Sequence, residues 1–382
     1  MDSQLVDVIR QIHDTPQKIA LCLTGGGSSA ISHLLVVPGA SRTLLEATVP
    51  YTARALDDLL GGAPEHYCSA STARAMAVAA YHRALALGDP DEPVAGIGCT
   101  ASLVSDRPKR GTHRCHVAAQ DRSSTTTYSL TLVKGARDRA GEEDVVARLI
   151  LRATARACGV DAEVNVPLLE IEQIETERTV APPAIQQLIA GEARRMVVLS
   201  DGSMHVPGPA IGVALSGAFN PLHEGHCRLA AVAADLLGSE VVFELSVTNV
   251  DKPPLDYTEI DARLRQFADR HTVVLTDAPT FLEKARLMPG CVFVVGVDTA
   301  ERIVAARYYG GDPVRMREAL AEIEKLGCRF LVAGRKVDDV WRTLDRVPVP
   351  AGFEGLFEAI PKDRFRQDVS STAIRAARHG AE

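Results

Sequence analysis

The chain has 382 residues, of which 46% are hydrophobic and 24% charged, with a formal net charge of −7. That length exceeds one ordinary compact unit, so two domains are expected, and the apolar content is enough to build their cores. The acidic balance argues against a nucleic-acid partner, and no apolar run approaches the roughly 20 residues that span a bilayer.

The start, Met1-Asp2-Ser3-Gln4, lacks the basic-then-apolar pattern of a secretory signal, so a cytoplasmic protein without membrane attachment is expected. Cysteines stand singly at 22, 68, 99, 115, 158, 227, 291 and 328. No C-x-x-C pair occurs, so neither a zinc site nor a disulfide framework is indicated, and reduced thiols fit the same compartment.

In chain order, Leu5, Val8, Ile9 and Ile12 give residues 4–13 the spacing of a short amphipathic helix. A strand over 18–23 then runs into Thr24-Gly25-Gly26-Gly27-Ser28-Ser29, ahead of a helical stretch over 30–35. Such a glycine turn either cradles an anion with backbone N–H groups or serves as a plain tight turn. Further on come Val37-Pro38-Gly39-Ala40-Ser41, Tyr51, Leu60-Gly61, Ser69, Ala73-Arg74-Ala75-Met76-Ala77 and Lys109-Arg110-Gly111-Thr112.

In this order the motifs resemble the C-terminal domain of the CinA family, the NMN amidohydrolase fold, over roughly residues 15–160. The first domain is accordingly placed at 1–160. The departures from that family fall where its chemistry lies. Cys22 stands where the nucleophilic serine would be, Tyr51 matches the family's tyrosine, and Leu56 replaces the lysine five residues later. The glycine-rich T-G-x-A-G-P turn becomes Cys99-Thr100-Ala101-Ser102-Leu103. A thiol nucleophile needs a base or a positive neighbour, and Cys22 has none nameable from sequence, so a buried, inert cysteine is expected. Cys22, Thr24, Gly25, Gly26 and Tyr51 thus mark a doubtful site. This half is expected to serve structure or regulation, by binding a nucleotide or holding a homo-oligomer together, with NMN amidohydrolase activity as the alternative.

Residues 139–159 carry strong helix formers that close the first domain, with Gly159 as C-cap. From 161 to 206 lies a linking region, with short strands around Val164, Val166, Leu168, Ile171 and Ile174, a break at Pro182-Pro183, a helix over 184–195 and a strand and turn over 197–203.

The second domain is placed at 207–382. Ile211, Val213 and Leu215 alternate as in a buried strand, and Leu229, Val232, Ala233 and Leu236 recur at helical spacing until Gly238. Between them lies Gly217-Ala218-Phe219-Asn220-Pro221-Leu222-His223-Glu224-Gly225-His226. The histidines fall at a helix N-terminus, where free N–H groups and the helix dipole favour phosphate, and Gly217 is expected to let a ligand approach the backbone. Strands over 241–247, 272–276, 291–295 and 329–333 alternate with helices over 281–288 and 314–326. This implies βαβ units and a parallel sheet here, and the CinA resemblance implies an α/β first domain, so the expected fold class is α/β in both.

Gly217, Phe219, Pro221, His223 and His226 resemble the G-x-F-x-P-x-H-x-x-H signature of the nucleotidylyltransferase superfamily, in the form used by NMN and nicotinate-mononucleotide adenylyltransferases. Three further stretches agree. Val247 to Pro254 resembles the substrate loop of those enzymes, where Lys252 either faces phosphate or is solvated. Gly296-Val297-Asp298 resembles their G-x-D, with Asp298 accepting from a ribose hydroxyl or a base amine, and Gly334-Arg335 ends the next strand. Val369-Ser370-Ser371-Thr372-Ala373-Ile374-Arg375 resembles I-S-S-T-x-I-R.

The resemblance implies a Rossmann-like domain that transfers AMP from ATP to NMN or nicotinate mononucleotide in NAD biosynthesis, with Mg²⁺ arriving on ATP. It casts His223, His226 and Arg375 as catalytic, and Gly217, Ala218, Phe219, Asn220, Lys252, Gly296, Asp298, Ser370, Ser371 and Thr372 as binding substrate or ATP. No metal-binding protein residue is expected. Pantetheine-phosphate adenylyltransferases and cytidylyltransferases share the same motifs and remain alternatives, as does a non-catalytic nucleotide-binding protein.

Overall fold

The computed structural model describes residues 1–107, 110–337 and 340–366. Lys109 and the closing motif Ser370, Ser371, Thr372 and Arg375 lie outside the described residues. The chain divides into two compact units, residues 1–186 with 251–260, and residues 187–250 with 261–382.

In the first unit, the strands β1 (Lys18–Thr24), β2 (Leu44–Thr48), β3 (Val94–Ser102), β4 (His113–Asp121), β5 (Ser124–Leu132) and β6 (Ile174–Val180) form a sheet in the order β2-β1-β3-β4-β5-β6. The β1 strand runs parallel to β2 and β3, and the remaining pairs are antiparallel. The helices are α1 (Ser3–His13), α2 (Ser29–Val36), α3 (Ala53–Leu60), α4 (Ala70–Leu87) and α5 (Arg139–Ala157). Close approach of α4 to β3 follows from small residues on both: a Cβ on Gly96 would lie 2.1 Å from the Ala77 carbonyl oxygen, and one on Gly98 would lie 2.3 Å from that of Ala73.

The expected linking region has one long strand, β6, rather than several short ones, and it extends the first sheet. Its helix, α6 (Pro183–Ile189), stops well short of 195, because Arg195 already begins a strand.

The segment 251–260 packs within the first unit. Asp256 is buried and takes Nε–H of the buried Arg74 at 3.0 Å, while the same guanidinium reaches Glu259 at 3.2 Å. Tyr257 donates its hydroxyl to the Arg122 carbonyl at 2.7 Å and its N–H to Thr125 Oγ1 at 3.2 Å. A buried pair of this kind tolerates loss of neither partner, because the survivor's charge is then left in an apolar setting.

In the second unit, β7 (Arg195–Val198), β8 (Met204–His205), β9 (Val213–Ser216), β10 (Val242–Ser246), β11 (Val273–Thr276), β12 (Val292–Gly296) and β13 (Arg329–Ala333) are followed by the small antiparallel pair β14 (Arg335–Val337) and β15 (Val340–Arg342), then by β16 (Phe357–Ala359). The main sheet has the order β16-β13-β12-β9-β10-β11-β7-β8. From β16 to β11 all pairs are parallel, and β7 and β8 add an antiparallel edge. The helices are α7 (Glu224–Leu237), α9 (Phe281–Leu287), α10 (Val297–Ile303) and α11 (Pro313–Lys325), while α8 (Tyr257–Leu264) begins in the 251–260 segment of the first unit and ends in the second.

Strand order steps outward from β9 through β10 to β11, then returns to β12 on its other side. That reversal is the switch point at which open parallel sheets bind ligands, beyond the carboxyl ends of the strands. Gly238 ends α7 in the left-handed conformation, as its place in the sequence predicts. Among the described residues, no helix is long and apolar enough to cross a membrane.

Candidate functional site

The turn after β9 is built around a phenylalanine. Phe219 is 1% exposed, and its ring meets Phe243, Phe267 and His226 edge-on at centroid distances of 5.4, 5.3 and 5.1 Å. Gly217 is required by this ring: a Cβ there would sit 2.7 Å from it. The reason for the glycine is therefore internal packing, and the expected room for a ligand is not what excludes a side chain at 217.

His223 caps α7, and its backbone N–H donates to His226 Nδ1 at 3.3 Å. A ring nitrogen that accepts carries no proton, so neutral His226 holds its proton on Nε2. The two imidazoles stack, with centroids 3.8 Å apart and planes 22° from parallel. Burial, with a smaller contribution from His223, brings the His226 pKa down to about 4, and burial also lowers that of His223. Both rings are thus neutral near pH 7, and each carries one N–H near the positive end of a helix dipole. The His223 Nδ1 and Ser216 Oγ atoms are buried without a hydrogen-bond partner among the described residues.

Gly296 and Asp298 reach the same end of the sheet. Strand β12 runs parallel to β9 with Leu215 opposite Val294, so Gly217 and Gly296 each lie two residues beyond that pair. Gly296 caps α10, and Asp298 in its first turn is ion-paired with Arg335, which does not end β13 as expected but opens β14 two residues after it. This pair is partly exposed, so it is worth at most about 1 kcal/mol and a ligand can replace it. Lys252 is exposed and belongs to the 251–260 segment of the first unit. The structure thus gathers Gly217, Ala218, Phe219, Asn220, His223, His226, Gly296 and Asp298 at one end of one sheet.

Two residues that sequence reasoning missed hold the turn. Arg263 Nη1 donates to the Ala218 carbonyl at 3.0 Å. Gln266 accepts from the Leu222 N–H at 2.7 Å and donates to the Phe219 carbonyl at 3.1 Å. Polar residues at the end of a helix ordinarily read as solvated, and only the neighbouring Phe267, in a chain with nine phenylalanines, hinted at an inward face.

In the first unit, two N–H groups of the glycine turn are already engaged. Glu143 from α5 takes the Gly27 N–H at 2.9 Å, the Ser29 N–H at 3.4 Å and the Ser28 hydroxyl at 3.0 Å. A carboxylate of the protein thus sits where an anion would be cradled. Arg139 donates to the Gly25 carbonyl at 3.0 Å, and the Thr24 hydroxyl to that of Pro50, also at 3.0 Å. Cys22 is 1% exposed, and burial pushes its thiol up to about 12. Gly26 lies against Leu103, and the Tyr51 side chain is exposed.

Residues 214–377 match the Cytidylyltransferase-like family. This stretch is a cytidylyltransferase-like domain. The motifs at 217–226, at 296–298 and at 370–375 all fall within it.

Over its N-terminal part the chain is similar to solved structures of competence- and damage-inducible proteins. One is CihA from Agrobacterium tumefaciens, at 17% identity over 42% of this chain and 94% of that one, with a TM-score of 0.31. Another is from Enterobacter asburiae, at 17% identity over 41% and 94%, with a TM-score of 0.32. A CinA superfamily protein from Escherichia coli matches at 17% identity over 42% and 90%, with a TM-score of 0.28. No curated protein matches the chain.

Proposed function

We propose that the cytidylyltransferase-like domain transfers AMP from ATP to NMN or nicotinate mononucleotide and releases pyrophosphate. The observation that carries this reading is the stacked pair of neutral imidazoles at the N-terminus of α7, with His226 Nδ1 committed to a backbone N–H. An oxygen of the mononucleotide phosphate attacks the α-phosphorus of ATP. The bond to the α–β bridging oxygen breaks, and pyrophosphate leaves with the electron pair. The nucleophile is already ionised near pH 7, so the site needs alignment and donors to the transferring group rather than a base.

The Nε2–H of His226 supplies one such donor, and the α7 dipole favours the added negative charge. Gly296 and Asp298 would take the ribose or base side once Arg335 yields. Ser370, Ser371, Thr372 and Arg375 are proposed for the β- and γ-phosphates. Among the described residues, no group of three or more His, Cys, Asp or Glu side chains is arranged to hold a metal, and Mg²⁺ is proposed to enter bound to ATP as part of the substrate. The first unit is proposed to serve structure or regulation, since its glycine turn is filled by Glu143 and its Cys22 is buried.

The test is pyrophosphate release with Mg²⁺–ATP and, in turn, NMN, nicotinate mononucleotide and phosphopantetheine, repeated with CTP. Turnover of a pyridine mononucleotide is expected, with His226→Ala reducing kcat by about 10²- to 10³-fold. Full activity in that variant would overturn the mechanism, and preference for phosphopantetheine or CTP would overturn the substrate assignment.

A further inference from the structure

The histidine turn is gripped by a short clasp, residues 263–267, that lies outside the signature. Arg263 fixes the Ala218 carbonyl, and the Phe267 ring packs edge-on against Phe219 with centroids 5.3 Å apart. Gln266 makes the two central contacts, one to each side of Asn220-Pro221. A primary amide is suited to this because it donates and accepts in one plane, so it meets the Phe219 carbonyl and the Leu222 N–H together. The N–H held by Gln266 is that of Leu222, and the next N–H along the chain, that of His223, is the one that fixes the His226 ring. Displacement of this turn therefore moves the donor that sets the His226 tautomer and the stacking of both rings.

We propose that Gln266 is a positioning residue for nucleotidyl transfer, acting through the Phe219 carbonyl and the Leu222 N–H to hold His223 and His226 in their stacked, donor-ready arrangement. The proposal rests on the function proposed above for its kinetic consequence, but its structural consequence can be read without turnover. Gln266 is half-buried, so its replacement leaves the aromatic packing of Phe219, Phe243 and Phe267 in place.

The test uses the full chain with Gln266→Ala and Gln266→Glu, each checked for a cooperative thermal melt. The first readout is the ¹⁵N NMR titration of the His226 imidazole, with His223 as the titratable group that faces it. In the wild type His226 is expected to titrate at about 4, and in Gln266→Ala to move toward the ordinary 6.5 as the ring loses its seat. The second readout is kcat against KM for ATP. Gln266→Ala is expected to lower kcat by about tenfold to a hundredfold with little change in KM, since a misplacement of ~1 Å costs about that much. Gln266→Glu keeps the acceptor for Leu222 but loses the donor to Phe219, and a smaller loss is expected. If the alanine variant fails to fold, the glutamate variant carries both readouts. Unchanged titration of His226 in a folded variant overturns the inference, as does an unchanged kcat. If the wild type releases no pyrophosphate, the proposed reaction fails, and the NMR titration alone decides for or against the role of Gln266.

Discussion

His226 illustrates how much of the site is fixed by burial and a single backbone N–H. It shares a depressed pKa with His116 of β4, which burial, helped by Arg114 and Arg74, also brings down to about 4. Unfolding returns both rings to about 6.5, so between those values the unfolded chain binds more protons than the folded one. Stability therefore rises with pH across that window and is lost as the pH falls through it. The urea midpoint of the full chain is expected to climb from pH 4.5 to 6.5, and His116→Gln to make the climb shallower. A midpoint flat over this range would contradict both assignments. Gly217 offers a second check at the same scale. Gly217→Ala pushes a methyl into the Phe219 ring, so a loss of about 1–3 kcal/mol in unfolding free energy is expected from denaturant titration.

At the scale of elements, the second sheet carries a buried ion pair in β10, next to the strand that leads into the histidine turn. Glu244 of β10 is 0% exposed, accepts from Thr276 of β11 at 2.7 Å and pairs with Lys284 of α9 at 2.7 Å. Lys284→Met leaves that carboxylate unpaired, and a cost of about 3–5 kcal/mol is expected. The double variant with Glu244→Leu should recover much of it, which denaturant titration of the three proteins would show.

The strands and helices of this sheet are legible in the sequence because apolar period and glycine stops coincide, as at Leu229, Ala233 and Gly238. The histidine turn is legible for a different reason: its spacing is a chemical signature. Gln266 and Arg263 are not, because a polar side chain in the last turn of a short helix or just past it looks solvated until the backbone it holds is known. The same holds for Glu143, whose partners lie more than a hundred positions away. The strands expected around 164–171 do not form, as none of the described strands pairs with them, and β6 takes the sheet edge instead.

For the whole molecule, the unit boundaries follow contacts rather than the motif order. A division at 207 removes β7, the antiparallel partner of β11, and leaves that strand as an open edge. It also strips the first unit of Leu255, Asp256 and Tyr257, all buried. Residues 187–382 are expected to melt at a higher temperature than residues 207–382, and both below the full chain, as circular dichroism would report. Equal melting temperatures for the two fragments would mean that β7 contributes nothing to the sheet.

The 251–260 segment also bears on how the chain is made. Synthesis delivers Arg74 long before Asp256, so the first unit emerges from the ribosome with a cation awaiting its counter-charge. By the time residue 260 appears, β7, β9 and β10 are already outside the tunnel. The first unit therefore cannot be completed before the second starts to emerge: its last segment follows strands of the later one.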